Sequence, residues 1–374
     1  MARASSSSDQ IAQDIILESP ADVTLALTRH HEFWFSDGSV VLRAENTLFR
    51  VHISQLSRKS TFFRDLFSLS QPPAQADSPV PAASLPNAEM FEGCPLLVMH
   101  DSAEDLAHLL KALYDGPWFG NNDRQDFRMV SGILRLADKY VLESLRKTAI
   151  AHLRVAWPLS LADWDAREDL ARIYELETGM HRGFRFPSPV DVINLAREVY
   201  VPELLPSAFY DLSRYHYLQI FEPGEDEPLG PASRTPTLCA DDIQQLTLGK
   251  EASQHAVSGL IQGMMHASQP REHRNSMLAC AASHYRRASS ERVCATPAAC
   301  RKDFEELVAL ATQHYLFDRE RGCADPLYVA EELGQLKSAE FSECHACARA
   351  LEMWAARERE RIWKQVPSWF RLGG

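Results

Sequence analysis

Residues 33–69 read FWFSDGSVVLRAENTLFRVHISQLSRKSTFFRDLFSL. An acidic turn, Asp37-Gly38, leads into an apolar run, Val40-Val41-Leu42. A polar break at Glu45-Asn46-Thr47 separates it from a second short run, Leu48-Phe49-Arg50-Val51. Two such runs around a polar break predict a β-hairpin. Helical spacing then takes over. After Leu56, the residues Phe63, Leu66 and Phe67 stand at i, i+3 and i+4, with Phe62 beside them. Ser60 occupies the helix N-cap, where a hydroxyl accepts from the free N–H groups of the first turn.

Working outward, a segment rich in Pro, Ala and Ser covers 71–95 and is expected to be a flexible insertion, because it cannot bury enough apolar surface to offset the entropy of ordering it. A strand is predicted at Leu96–His100. Ser102 caps the next helix, with Leu106, Leu109, Leu110 and Leu113 on one face and a stop at Asp115-Gly116-Pro117. Phe127, Val130, Leu134 and Ala137 mark a following helix. Leu142, Leu145, Ala149 and Leu153 mark its successor, with Lys139-Tyr140 at the joint.

The order Phe49, His52, Leu56, Ser60, Phe63, Phe67 resembles the signature of the BTB (POZ) domain, written roughly F-x-x-H-x-x-x-L-x-x-x-S-x-x-F-x-x-x-F. Asp37 stands further upstream of Phe49 than the aspartate of many members does, as though the hairpin turn were longer. The wording is most similar to BTB proteins of filamentous and mushroom-forming fungi. The resemblance implies an α+β fold over 31–157, a small sheet packed with helices. It also implies a non-enzymatic protein-interaction role: self-association as a homodimer and recruitment of protein partners. Two narrower roles compete with it. One is a substrate adaptor of a cullin-type ubiquitin ligase, meeting the cullin scaffold near 88–120. The other is a transcription-associated regulator. Phe33-Trp34-Phe35 and Ile53–Ser60 are candidates for a self-complementary patch, the aromatic triplet being equally readable as core. His52 and Ser60 are read as fold-specifying residues.

Composition narrows the class. The chain has 374 residues, 45% hydrophobic and 24% charged, which suits two globular domains. Net charge is −12 and pI near 5.6, which argues against nucleic acid or an anionic membrane as direct partner. No apolar run reaches the ~20 residues a bilayer span needs, and the start, MARASSSSDQ, lacks an apolar signal core. No N-x-[ST] sequon occurs. The eight cysteines therefore read as reduced thiols of the cytoplasm or nucleus. Residues 1–30 read as an extension with a disordered serine run at Ser5–Ser8. Ile11–Leu27 is open between a short helix and an irregular strand.

From Trp157-Pro158, the expected boundary, the chain predicts an all-α C-terminal domain over 158–374. Apolar faces fall at Leu170, Ile173 and Tyr174; at Val192, Leu195, Ala196 and Val199 behind Ser188-Pro189; and at Leu205, Ala208, Phe209 and Leu212. A Pro/Gly/acidic loop spans 222–237. Further faces lie at Val257, Leu260, Ile261 and Met264, at Phe304, Leu307, Val308 and Ala311, and at Leu333 and Leu336. A long helix, Ser342–Val366, is expected to stop at Pro367, with Trp369-Phe370 tucked back. No 20–50-residue repeat is present, which excludes kelch or ankyrin arrays.

Seven cysteines fall after residue 238. Cys344 and Cys347 form a C-x2-C pair, and Cys294 and Cys300 a wider C-x5-C pair. Two pairs brought together can fill a tetrahedral zinc site, since Zn²⁺ favours thiolate and imidazole ligands. Buried thiols and a redox C-x2-C are the competing readings. The fungal BTB proteins that this chain resembles pair cysteines here, before a closing motif like Ile362–Phe370. His345 lies inside the C-x2-C pair and faces either the ion or solvent. No H-E-x-x-H, P-loop, G-x-G-x-x-G or G-x-S-x-G occurs, so no catalytic residue is assigned. Arg286-Arg287 and Arg357–Arg361 read as solvated surface, and Trp118-Phe119 as an exposed contact or as cover for the core.

Overall fold

The structure, a computed structural model, describes residues 27–68, 89–224, 226–230, 237–267, 294, 296–317, 324–338 and 343–372. The extension up to residue 26, most of the predicted insertion, part of the 222–237 loop, Arg286-Arg287, Cys280 and Cys323 lie outside these residues. Two compact units emerge. The first holds the described residues up to Ser54 together with Phe67–Glu104, and the second holds Gln55–Leu66 with the chain from Asp105 onward.

The first unit is built on a five-stranded sheet, with β1 Thr28–Trp34, β2 Val40–Ala44, β3 Thr47–Val51, β4 Met90–Phe91 and β5 Cys94–Met99 in the order β1-β3-β2-β5-β4. β2 and β3 are the predicted hairpin, antiparallel, with Val40 opposite Val51 and Ala44 opposite Thr47. β5 runs parallel to β2 and sets Val41 against Leu96. Val40, Val41, Leu42, Leu48, Phe49 and Val51 are all buried, which is why β2 and β3 read as continuous apolar runs and not as alternation. Gly38 is required at the turn, because a Cβ there would stand 2.8 Å from Cγ of Arg50.

β1 corrects the expectation that residues to 30 are only an extension. It pairs parallel to β3 across an irregularity between Arg29 and Trp34. Its sequence, TRHHEFW, buries only Phe33, so an edge strand of this kind leaves almost no periodic signal. The same correction applies at 89–95, within the expected insertion: there β4 turns back onto the start of β5, with Phe91 opposite Cys94.

α1 Ile53–Lys59 and α2 Thr61–Ser68 come after the hairpin as expected, and α3 Ala103–Tyr114 comes after β5. The second unit continues with α4 Arg124–Lys139, α5 Glu143–Ala156, α6 Leu161–Thr178, α7 Pro189–Glu198, α8 Leu205–Ser213, α9 Tyr217–Phe221, α10 Ala240–Ala267, α11 Pro297–Thr312, α12 Pro326–Gln335 and α13 His345–Trp369. No strand occurs among the described residues after Met99. Side-chain caps set several starts. Asp123 accepts from the Asp126 N–H at 2.8 Å, Ser160 from Asp163 at 3.2 Å, and Ser188 from Val190 at 3.3 Å ahead of Pro189.

One core runs from Phe127 to Phe370. It passes straight through Trp157, which is fully buried, so the expected boundary at Trp157-Pro158 falls inside the second unit. α6 brings another correction. Leu170 and Ile173, predicted as its apolar face, are 45% and 48% exposed, and the buried side carries Leu161, Trp164, Arg167, Glu168 and Ala171. α13 also departs from expectation by continuing through Pro367 to Trp369. A proline in the last turn removes one hydrogen bond without stopping the chain from completing that turn. Phe370 does tuck back. It stacks on Phe209 at 5.3 Å and fills the place where a side chain on Gly249 would stand.

Candidate metal centre

Cys294, Cys300, Cys344 and Cys347 bring their sulfur atoms together, all within 4.8 Å of one another. Helix starts put them there. Cys294 precedes α11 and Cys300 sits in its first turns; Cys344 is the N-cap of α13 and Cys347 lies in its first turn. Two helix N-termini therefore meet at one cluster of thiols, and the Cys347 N–H faces the Cys344 sulfur. Cys300 and Cys347 are buried, Cys294 and Cys344 half-buried, and none of the four is in a disulfide.

Cys344 is shifted in one direction, Cys300 and Cys347 in the other. Burial would raise Cys344, but the N–H of Cys347 and the sulfurs of Cys347, Cys300 and Cys294 outweigh it and bring it down to about 7. Burial together with the neighbouring sulfurs pushes Cys300 and Cys347 up. Beside them, the buried Lys337 ammonium bonds Asp303 at 3.1 Å. Burial alone would lower its pKa, but Asp303 and the charges of Cys300 and Cys347 outweigh that and raise it. The cluster thus gathers thiolate character on Cys344, with a cation alongside.

The donor set fits one soft tetrahedral ion. With Zn–S near 2.3 Å, tetrahedral geometry sets neighbouring sulfurs ~3.8 Å apart, so a modest contraction closes the site. His345 is exposed on the first turn of α13 and is not among the grouped ligands. The wide C-x5-C spacing has a local cause: Cys294 lies just outside a helix, and only Cys300 is helical.

The BTB-like signature positions and the aromatic candidates sit elsewhere. Phe49, Leu56, Ser60 and Phe63 are buried, and Phe67 is half-buried. Ser60 caps α2 by accepting from Phe63 N at 3.0 Å and donates to the carbonyl of Tyr140 at 2.6 Å. His52 is half-buried, and its Nε2 lies 3.3 Å from Oδ1 of the exposed Asp37. It stands at the exit of β3, where the chain leaves the sheet, at the rim and not in the core. Phe33 is core, while Trp34 and Phe35 are half-buried. Trp118 is 83% exposed, and Phe119 packs on the core of the second unit.

Sequence reasoning missed a buried charge network in the second unit. Arg167 donates to Glu168 at 2.6 Å, to Asp211 at 2.7 Å and to the Ala156 carbonyl at 2.8 Å. Arg214 bonds Glu168 at 2.8 Å, Asp325 at 3.1 Å and Asp211, and Tyr210 donates to Asp325 at 2.6 Å. Arg167, Glu168, Asp211, Arg214 and Asp325 line a cavity of about 450 Å³ with His181, Tyr215 and Tyr328. Burial would raise the Glu168 carboxyl, but the guanidiniums of Arg214 and Arg167 bring it down to about 2. A second buried charge, Lys250 on α10, donates to the carbonyls of Ser213 and Tyr215, and burial lowers it to about 8. The one available sequence signal is the Arg167-Glu168 doublet, in register with Leu161 and Trp164.

No protein-family model matches the chain, and no curated protein matches it either.

Proposed function

We propose that this chain is a non-enzymatic protein-interaction molecule whose helical unit is stapled by a structural zinc. Cys294, Cys300, Cys344 and Cys347 would hold the ion and supply no reactive position, since four protein ligands close the tetrahedron. The observation that carries the metal reading is the convergence of four sulfurs within 4.8 Å at two helix starts. Zinc there joins α11 to α13 across a stretch of chain that includes α12, and much of the binding free energy becomes folding free energy.

The interaction role rests on the resemblance of 31–157 to a BTB domain, here of the fungal kind, acting by self-association and partner recruitment. Its support is that Phe49, Leu56, Ser60 and Phe63 are buried or capping, as fold-specifying signature positions should be. β1, an edge strand, and the half-buried Trp34 and Phe35 are the surface we assign to a second copy.

Metal analysis of the purified chain tests the first part. About one equivalent of zinc is expected, and Cys344→Ser should lower metal content and the melting temperature together. A metal-free protein with an unchanged melt in that variant rules the staple out. Sedimentation at micromolar concentration tests the second: a dimer is expected, weakened by Trp34→Ser. A monomer throughout would remove self-association.

A further inference from the structure

The apolar stripe of α6 that stays out of the core has a use. Leu170, Ile173 and Tyr174 stand at i, i+3 and i+4, and Leu170 and Ile173 are nearly half exposed. They form one wall of a groove of about 480 Å³, which Phe184, Arg124 and Arg185 complete. Single exposed apolar side chains need no explanation, but a stripe with its own groove marks a contact surface.

The two arginines define what the groove accepts. Arg124 donates to the Pro228 carbonyl and stacks on Phe184 at 4.8 Å; Arg185 donates to the Asn121 carbonyl at 3.0 Å and stacks on Phe186 at 4.6 Å. Neither forms an ion pair with a carboxylate among the described residues. Among the described residues, the buried Nε of Arg124 and Nη1 of Arg185 have no acceptor. Burial lowers both guanidinium pKa values and outweighs the pull of Tyr215 and Asp191 on Arg124 and of Asp123 on Arg185. Of the acids in the groove, Asp123 is committed to the Asp126 N–H, and Glu177 lies exposed one helical turn beyond Ile173. Two partly desolvated cations without an ion pair, set beside an apolar wall, call for a partner that brings both features.

We propose that this groove docks an acidic amphipathic segment of a partner protein, its apolar side chains on Leu170 and Ile173 and its carboxylates on Arg124 and Arg185. The apolar wall, Leu170 to Tyr174, is about one helical turn long, ~6 Å, which suits a short peptide segment of a few residues. The groove shares no residue with the cysteine centre or the BTB-like signature, so its test stands apart from theirs.

The probe is a fluorescent Leu/Glu amphipathic peptide titrated with the full chain, beside a Leu/Lys peptide of the same length and a small dicarboxylate, succinate. The Leu/Glu peptide should bind, more weakly as salt rises. Leu170→Ser/Ile173→Ser and Arg185→Gln should each cost about tenfold or more in affinity, as losses at an anchor do, with the melting temperature of the Leu170/Ile173 variant unchanged. Leu170 and Ile173 are exposed, so that variant leaves the core intact. Equal binding of the Leu/Lys peptide, undiminished binding by either variant, succinate competing as well as the peptide, or no binding at all would each overturn the proposal.

Discussion

Two buried groups make the stability of the second unit rise with pH in two separate windows. Glu168 has its pKa lowered from 4.5 to about 2 by Arg214 and Arg167 acting against burial. A depressed carboxyl adds stability that is complete above its unfolded value and is lost as pH falls from about 4.5 to about 2. Lys250 is lowered from 10.5 to about 8 by burial, with carbonyls and no carboxylate around its ammonium. Between those values the unfolded chain holds a proton that the folded chain has released, so stability rises with pH across that window. Each effect is on the order of 3 kcal/mol at its limit. Urea unfolding across pH, comparing the parent with Glu168→Gln and Lys250→Met, should flatten the acid limb in the first variant and the alkaline rise in the second. Parallel curves for parent and variant would show that neither group titrates as its surroundings require. Replacing Glu168 alone also leaves two buried guanidiniums with one carboxylate fewer, so its cost at neutral pH should be large.

At the scale of elements, legibility in the sequence depends on whether the buried surface of an element is apolar. The β2–β3 hairpin, the Ser60 cap, α3 with its four leucines, α7 behind Ser188-Pro189, and the Phe304 helix are all readable, because apolar side chains fill both faces of the two strands and one face of each helix. β1 is not, since an edge strand with one buried side chain has no period to detect. The cysteine pairs are legible as pairs, but their convergence depends on how α11 and α13 pack, which local spacing does not encode. α6 misleads for a specific reason. Its buried face holds Arg167 and Glu168 among Trp164 and Ala171, so the apolar stripe visible in sequence is the outer one. A direct consequence concerns stability. Leu170→Ser and Ile173→Ser should each change unfolding free energy by less than about 0.5 kcal/mol. Trp164→Ala, which empties a site packed edge-on to Tyr210 at 5.3 Å and beside Trp363, should cost about 3–5 kcal/mol. Denaturant midpoints decide it, and a large loss from the Leu170 change would return that face to the core.

For the whole molecule, the division into units bears on where the chain can be cut. The BTB resemblance suggests a fragment ending near Trp157, whereas the packing argues that α4 and α5 need the helices from α6 onward. Leu153, Ala156 and Trp157 belong to the same core as Ile193, Phe209 and Leu351. Polar ties cross the cut as well: Arg146 donates to the Val199 carbonyl at 2.8 Å, Arg135 pairs with Glu198 at 2.7 Å, and Arg167 holds the Ala156 carbonyl. Removing residues after 157 would expose several large side chains at about 1.5–3 kcal/mol each, a loss that exceeds what a small domain holds in reserve. A fragment of residues 28–157 should therefore bind a hydrophobic dye and melt earlier and less cooperatively than the full chain, unless partners or self-association cover the bared face. Concentration dependence separates these cases, because dimerisation would raise the melting temperature with protein concentration. A sharp, concentration-independent melt at the temperature of the full chain would mean that α4 and α5 complete a core without the helices beyond 158, and the proposed interaction module would then be separable from the helices that carry the four cysteines.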